Sequence, residues 1–173
     1  EDGSILENPA LVNICQKVKG SGGKLHLMGL CSEGGVHSHL SHLLGLLKLA
    51  QAQGITEVCI HAFTDGRDTN PTHGVVALQK IKSYTEQVGI GKIVTVSGRY
   101  YAMDRDRRWD RIEKAYRVIC QSDVETDISP TEVLQSNYEK GITDEFIPPT
   151  RVASGGLEAD DGQVRVGLAD RVE

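Results

Sequence analysis

The chain has 173 residues, of which 39% are hydrophobic and 25% are charged, and its formal net charge is -5. This length suits a single domain, and the composition is that of a globular protein with an ordinary core. The acidic balance argues against non-specific nucleic-acid binding, which requires a cationic surface. No apolar run is long enough to span a membrane. The four cysteines are widely spaced without a CxxC pair, which is typical of reduced thiols, so we expect a cytoplasmic protein.

Helix-like and strand-like segments alternate along the chain. Asn8-Pro9 predicts a helix start, because Asn is a good N-cap and Pro fits the first helical position, and the helix would cover residues 9–18. Apolar runs at 24–30, 57–63 and 92–97 predict strands, each followed by a helical pattern, at 37–53, 71–88 and 105–120. Three such units in succession predict right-handed crossovers and an open, mainly parallel sheet with helices on both faces.

The pattern is weaker beyond residue 122. Residues 130–140 predict a short helix that ends at Gly141, and residues 146–147 an extended segment before two prolines. Residues 153–162 are rich in Gly and Asp and predict a loop, and residues 164–168 predict a last strand.

Each of the three predicted strands is followed by a polar loop, SEGGVHSH at 32–39, TDGRDT at 64–69 and SGRYYAMDR at 97–105. In an open parallel sheet, ligands bind beyond the carboxyl ends of the strands. We therefore expect Arg67, Arg99 and Arg105 to converge with His37 at one edge. Because arginine presents a planar fork of donors to carboxylates and phosphates, the loops predict a site for a small, multiply charged anion.

Asp68 is the carboxylate directly beside an arginine in the second loop. It would accept a hydrogen bond from a substrate hydroxyl or act as a general base. The alternative for any one loop is a surface turn with a solvated ion pair, which contributes about 0–1 kcal/mol. Three such loops in succession favour the functional interpretation. The sequence contains no GxSxG elbow, no P-loop and no GxGxxG after a strand.

A zinc site at His37, His39 and His42 is another hypothesis. Zinc ligands often lie four residues apart on a helix or alternate along a strand, whereas these spacings are two and three across a predicted loop–helix junction. Capping or packing is favoured for His39 and His42, and a ligand contact for His37. The remaining histidines belong to no polar cluster in the sequence and are interpreted as structural: His26, His61 and His73.

The three loop regions together resemble one enzyme family. LMGLCSEGGVHSH at 27–39, HAFTDGRDT at 61–69 and VSGRYYAMDRDRRWDR at 96–111 are similar to signature stretches of the cofactor-independent phosphoglycerate mutases. EDGSILENPAL at 1–11 and TDEFIPPT at 143–150 also resemble that family. The resemblance runs continuously from residue 1 to about residue 152.

The resemblance implies a two-domain isomerase that interconverts 3-phosphoglycerate and 2-phosphoglycerate in glycolysis and gluconeogenesis. A phosphatase-like domain would carry two Mn²⁺ ions and a serine nucleophile, and an inserted phosphotransferase domain would hold the substrate. This chain resembles the inserted domain over residues 1–173, truncated, with 1–8 as a linker from the phosphatase domain and 153–173 as a divergent tail. We expect it to bind no metal itself, to be monomeric, and to be inactive in isolation.

By the same resemblance, Asp68 is catalytic and six residues bind substrate: His37, Arg67, Asp68, Arg99, Arg105 and Arg171. The family carries Asn-Phe-Arg-Ala-Asp-Arg near the end of this domain. Here Arg171 matches its second arginine, but Leu168 stands at the first. Losing a guanidinium from a phosphate clamp would cost about 1.5–3 kcal/mol. The alternative functions are a non-catalytic module that binds a phosphorylated metabolite and, more weakly, a zinc-dependent hydrolase.

Overall fold

The computed structural model describes residues 3–120, 128–153, 156 and 161–166. Leu168 and Arg171 therefore lie outside the described residues, as does the rest of the predicted tail beyond residue 166. The described α-helices are α1 (Pro9–Ser21), α2 (Leu40–Ala52), α3 (Gly74–Val88), α4 (Arg99–Ala102), α5 (Trp109–Cys120) and α6 (Pro130–Tyr138). The described strands are β1 (Leu25–Leu30), β2 (Val58–Thr64), β3 (Lys92–Gly98), β4 (Thr150–Arg151) and β5 (Gly162–Val166). Two 3-10 helices cover Ser4–Glu7 and Asp144–Phe146.

Helix α1 begins where the sequence predicts. The side-chain oxygen of Asn8 accepts hydrogen bonds from the backbone N–H groups of Ala10 and Leu11, and Pro occupies the first helical position. The helix ends at Gly22, whose φ of 71° lies in the left-handed region that glycine adopts without strain. The N-terminal boundary is thus confirmed, and the helix runs three residues past the predicted end.

The sheet is open and mainly parallel, as predicted. The strand order is β4-β3-β2-β1-β5, and among these described strands only the two-residue β4 is antiparallel to its neighbour. In the register, Leu30 lies opposite Phe63, and Thr64 lies opposite Gly98. The carboxyl ends of β1, β2 and β3 are therefore level, so the loops that follow them start at the same edge.

Helices cover both faces of this sheet. On one face, Leu27 of β1 and Ile60 of β2 belong to the apolar core that they share with Leu47 of α2. On the other face, the Arg151 guanidinium of β4 donates to the carbonyls of Val118 and Ile119 at the end of α5. The predicted fold class is confirmed.

Several local predictions differ from the structure. The helices predicted to start at residues 37 and 71 begin at Leu40 and Gly74. The predicted helix over 105–120 begins only at Trp109, because Oδ2 of Asp104 accepts the backbone N–H groups of Asp106 (3.1 Å) and Arg108 (2.9 Å), and Arg107 has a φ of 60°. The segment predicted as extended includes Phe146, which ends a 3-10 helix, and the last strand begins at residue 162 rather than 164.

The first residues also carry structure. Within the range predicted as a linker, Ser4–Glu7 form a 3-10 helix. A methyl group of Ile5 lies 3.4 Å from where a Cβ on Gly45 would stand, so this turn packs closely on α2. No helix in the described part of the chain has the length and apolar character needed to cross a membrane.

Candidate functional site

The loops that follow β1 and β2 touch each other at the carboxyl edge of the sheet. A Cβ on Gly34 would stand 2.9 Å from the carbonyl oxygen of Asp68 and 3.1 Å from its Cβ. A larger residue at position 34 would therefore push the two loops apart. Glycine here permits the close approach, as the Gly-rich sequence predicts.

Asp65, the first residue after β2, organises the edge. Its side chain is 2% exposed. Oδ1 accepts the backbone N–H groups of Arg67 and Asp68, both at 3.1 Å, and Oδ2 accepts the hydroxyl of Ser32 at 2.5 Å. The first two bonds form an Asx turn, with Gly66 at a φ of 70°. One carboxylate thus ties the first loop to the second.

Arg99 joins the third strand end to the same carboxylate. Its Nη1 donates to Oδ1 of Asp65 at 2.7 Å and to Oδ2 of Asp68 at 2.6 Å, and its side chain is 10% exposed. Burial alone would raise the pKa of Asp65, but hydrogen bonds from Ser32, from the Asp68 backbone and from Arg99 outweigh it and hold the pKa below its ordinary value. For Arg99, burial opposes the charged form, yet the two carboxylates raise its pKa. Asp65 and Arg99 are therefore both ionised at neutral pH.

Part of the hydrogen-bonding capacity of this cluster is unused by the protein. Within the described residues, Nε and Nη2 of Arg99 and Oδ1 of Asp68 take part in no hydrogen bond. Nε2 of His37 lies 4.0 Å from Oδ2 of Asp68, and the His37 side chain is 37% exposed. Two guanidinium nitrogens, one carboxylate oxygen and one imidazole are thus available to a ligand that carries both an anionic group and a hydroxyl.

The structure brings some of the predicted residues together and not others. His37, Asp68 and Arg99 are joined by the contacts above. The side chain of Arg67 is 62% exposed and pairs with Glu145 at 3.8 Å, so this residue enters the cluster through its backbone N–H only. Arg105 is exposed, and among the described residues no ion pair or hydrogen bond links it to the cluster. The expected convergence of three guanidinium groups is thus seen only for Arg99, and Arg171 lies outside the described residues.

Sequence reasoning missed the two residues that hold the cluster, Ser32 and Asp65. A signal for Asp65 was present, because an Asp at a strand end followed by Gly is typical of an Asx turn. Sequence reasoning also missed the segment that follows α6. The carbonyl of Asp144 accepts the Thr64 hydroxyl at 2.7 Å, and the carbonyl of Ile147 accepts the backbone N–H of Gly98 at 2.8 Å. Residues 144–147 therefore hold the carboxyl ends of β2 and β3 in place by hydrogen bonds.

Asp144 itself is a buried carboxylate of that segment, 1% exposed. It accepts the backbone N–H of Gly74 at the start of α3 at 2.7 Å, and it accepts the hydroxyl of Tyr138 from α6. Burial raises the pKa of Asp144 above its ordinary value, and burial together with this carboxylate raises the pKa of Tyr138. Its donors are all internal, so Asp144 links helices and is not available to a ligand.

The three neighbouring histidines do not form a shared site. Nδ1 of His39 accepts the backbone N–H of Ser41 at 3.3 Å, so His39 caps α2, and the His39 and His42 rings meet edge to face with centroids 6.3 Å apart. In residues 3–120, 128–153, 156 and 161–166, no group of three or more His, Cys, Asp or Glu side chains is arranged to hold a metal ion.

Comparison with known proteins places the sequence of this chain in a family. Residues 1–168 match the family described as BPG-independent PGAM N-terminus. The chain is 61% identical over 164 residues to a 2,3-bisphosphoglycerate-independent phosphoglycerate mutase from Nostoc sp., an alignment that covers 95% of this chain and 31% of the relative. A mutase of the same name from Synechocystis sp. is 55% identical over the same length. The chain thus spans about a third of the length of the curated relatives it matches.

A solved structure supports the fold independently. A phosphoglycerate mutase of Leishmania mexicana, determined at low cobalt concentration, aligns with a TM-score of 0.80 over 95% of this chain and 34% of that protein, at 24% sequence identity. At that identity the likeness concerns the fold alone. The family match, which covers nearly the whole chain, shows that this protein belongs to the 2,3-bisphosphoglycerate-independent phosphoglycerate mutases, as a part that corresponds to their N-terminal family region.

Proposed function

We propose that this chain is the substrate-binding part of a cofactor-independent phosphoglycerate mutase, which interconverts 3-phosphoglycerate and 2-phosphoglycerate in glycolysis and gluconeogenesis. In this proposal a separate, metal-dependent domain of the same protein, with two Mn²⁺ ions, forms the phosphoserine intermediate, and the protein is a cytoplasmic monomer. The observation that carries the proposal is the Arg99 guanidinium. Among the residues that the structure describes, it is anchored through Nη1 alone, and its other two nitrogens lie beside an oxygen of Asp68 that accepts no hydrogen bond from them.

The proposed roles follow from the chemistry of each group. Nε and Nη2 of Arg99 would donate in parallel to a carboxylate or a phosphate, the bidentate geometry that arginine favours. Oδ1 of Asp68 would accept a hydrogen bond from the glycerate hydroxyl and act as its general base. His37 would contact the same ligand. Arg67 and Arg105, which are exposed, would supply further positive charge at the rim, and Arg171 would contact phosphate.

Calorimetric titration of the chain with 3-phosphoglycerate tests the binding proposal. Arg99→Ala should weaken binding roughly 10- to 100-fold, because removing a hydrogen-bonded charge costs about 1.5–3 kcal/mol. Arg99→Lys keeps the charge but loses the fork, and should also weaken binding. Arg117→Ala is the matched control, since that arginine is 69% exposed on α5 and pairs with Glu113. Equal affinity for wild type and both Arg99 variants would refute the assignment.

Turnover is a separate question. By the family resemblance, the serine nucleophile and the metal ligands belong to the other domain, so we expect this chain to bind phosphoglycerate without isomerising it. An enzymatic assay with 3-phosphoglycerate and added Mn²⁺ checks this expectation. Production of 2-phosphoglycerate by the purified chain would contradict it.

A further inference from the structure

We propose that Asp65 is the positioning residue of this site: it keeps Arg99 from forming a closed pair with Asp68, and so reserves part of both side chains for the ligand. This inference rests on the proposed function and adds to it a residue that never touches the substrate. It also explains why a carboxylate lies buried at a site meant for an anion.

Asp65 cannot itself contact a ligand. It is 2% exposed, and its two oxygens accept four hydrogen bonds. Three of these reach Oδ1, from the backbone of Arg67, the backbone of Asp68 and Nη1 of Arg99, and the fourth reaches Oδ2 from Ser32. Any effect of Asp65 on a ligand must therefore act through these partners.

The decisive feature is the division of Nη1 between two carboxylates. An isolated Arg–Asp pair prefers two parallel hydrogen bonds, which would use two guanidinium nitrogens and both carboxylate oxygens. Here the two hydrogen bonds that Nη1 makes go to different residues, to Asp65 at 2.7 Å and to Asp68 at 2.6 Å. Asp68 is thereby left with a single bond to Arg99. Because Asp65 takes one of the two hydrogen bonds of Nη1, Arg99 and Asp68 do not form a bidentate pair.

Asp65 also sets the position of Asp68. Because Oδ1 of Asp65 accepts the backbone N–H of Asp68, the turn that carries Asp68 is fixed to the same atom that anchors Arg99. The two ligand-facing groups are thus held relative to one another by one oxygen.

A purely electrostatic role and a positioning role predict opposite results for Asp65→Asn. If Asp65 only added negative charge, its removal would strengthen the binding of an anion, since a nearby like charge is unfavourable. If Asp65 positions Arg99, the same change should weaken binding, because Arg99 would close onto Asp68. The sign of the change in affinity therefore distinguishes the two.

The experiment is calorimetric titration of the whole chain with 3-phosphoglycerate. Asp65→Asn should raise Kd about tenfold, the effect of losing one hydrogen bond to a charged group. In an Arg99→Lys background the same change should have little further effect, since the fork it positions is gone. Glu86→Gln, at an exposed site on α3, is the control and should leave Kd unchanged. Equal or tighter binding by Asp65→Asn, or an undiminished effect in the Arg99→Lys background, would overturn the inference.

A measurement without ligand keeps this inference separate from the proposed function. In ¹⁵N-labelled wild type, the Nη1 protons of Arg99 should give distinct, slowly exchanging NMR signals, because both are hydrogen-bonded. Asp65→Asn should abolish that pattern, and its persistence would overturn the inference even if the wild-type chain bound no phosphoglycerate. Should Asp65→Asn fail to fold, Ser32→Ala removes the bond to Oδ2 and keeps the charge. That variant should broaden the same signals, and unchanged signals would count against the inference.

Discussion

Two buried polar clusters of this protein differ in how completely they use their hydrogen bonds. One is the edge cluster of Asp65, Asp68 and Arg99. The other, which we call the histidine chain, crosses the sheet interior through four residues: Asp161, His26, His61 and Thr95. In the edge cluster, two guanidinium nitrogens and one carboxylate oxygen have no partner among the described residues. In the histidine chain, every ring nitrogen has one.

The hydrogen bonds of the histidine chain can be assigned with one donor and one acceptor at each contact. In the neutral ring of His26, Nε2 donates to Oδ2 of Asp161 at 2.9 Å, and Nδ1 accepts from the Nε2–H of His61 at 2.8 Å. Nδ1 of His61 then accepts the Thr95 hydroxyl at 2.9 Å. These tautomers are assigned from the hydrogen-bond network, and the lowered pKa values of both histidines keep the rings neutral at pH 7. Burial, reinforced by the neighbouring His26 and Arg151, lowers the pKa of His61 to about 3, and burial also lowers the pKa of His26 despite Asp161.

A structural framework and a binding site can be told apart by their hydrogen bonds. Buried polar groups are normally satisfied, and a fully satisfied network specifies one arrangement of the chain. The histidine chain links β1, β2 and β3 in this way and has nothing left to offer a ligand. The edge cluster also fixes its members through Asp65, yet leaves donors and an acceptor without a partner among the described residues. Unused hydrogen-bonding capacity at Arg99 and Asp68 is what marks the edge cluster as a site.

Breaking the histidine chain should have the largest effect on stability. His26→Leu keeps a similar volume but leaves the Nε2–H of His61 and the carboxylate of Asp161 without that partner. The free energy of unfolding should fall by roughly 2–4 kcal/mol, since each unsatisfied buried group costs about 1–3 kcal/mol. Urea denaturation measures the loss, with the partly exposed His73→Gln as control. The affinity for 3-phosphoglycerate should stay unchanged in the folded variant, and a large change in affinity would break the distinction between framework and site.

Lowering the pH should give the next largest loss in the free energy of unfolding, through protonation of the histidine chain. The pKa of His61 is about 3 in the folded protein and near 6.5 when unfolded, so the unfolded chain binds more protons between these values. Stability therefore rises with pH across this window, and His61 alone should remove about 2 kcal/mol between pH 7 and pH 5. His26 adds to this loss in the same direction.

Urea denaturation at both pH values, in wild type and in His61→Gln, isolates this effect. The pH dependence should be smaller in the variant. Asp65 does not interfere, since its lowered pKa confers stability that is lost only below the ordinary aspartate range. Asp144 has a raised pKa, so its contribution falls as pH rises and has the opposite sign. A pH dependence of equal size in wild type and variant would show that His61 is not buried as a neutral ring.

Much of the fold could be predicted from the sequence because it depends on local patterns. The cap at Asn8, the apolar runs of β1 to β3 and the polar loops after them are readable without tertiary knowledge. The level carboxyl ends of the strands then follow from parallel topology. Prediction was weaker where a side chain decides the local path, as at Asp104, whose bonds to two backbone N–H groups delay the start of α5.

The candidate site was predictable in its location and only partly in its contacts. A side chain's direction depends on partners from other loops, which is why Arg67 was expected at the cluster and instead pairs with Glu145. The histidine chain was missed because it depends on the register of neighbouring strands, which shifts between Ile60 and His61. Such registers are not encoded in the pattern of a single segment.

Substitution of two glycines tests how tightly the carboxyl edge of the sheet is packed. Gly66 and Gly35 both have positive φ, 70° and 69°, so alanine is strained at either position. At Gly66, however, a Cβ would stand 2.7 Å from the backbone nitrogen of Glu145, whereas at Gly35 it would meet open space. Gly66→Ala should therefore cost about 1–2 kcal/mol more than Gly35→Ala, the usual range for overpacking.

Unfolding of the two alanine variants in urea measures that difference directly. Because Gly66 lies in the Asx turn of Asp65, its variant should also weaken 3-phosphoglycerate binding relative to Gly35→Ala. Equal stability and equal affinity in the two variants would mean that the 144–147 segment yields readily and does not fix the edge.

The smallest effect is expected at a third kind of polar contact, one that is neither buried nor open to a ligand. Oε1 of Glu33 accepts a hydrogen bond from Nζ of Lys80 at 2.6 Å, and Oε2 lies 3.3 Å from Nε2 of His73. These two contacts join the loop after β1 to α3. The Glu33 carboxylate is 36% exposed, so water competes for these bonds and salt screens them. Glu33→Gln should cost only about 0.2–1 kcal/mol, and less still in high salt. The Lys80–Glu33 distance is as short as those in the buried clusters, so only exposure should make this contact weaker. If Glu33→Gln lowered the free energy of unfolding as much as His26→Leu, exposure would not govern the strength of these polar contacts.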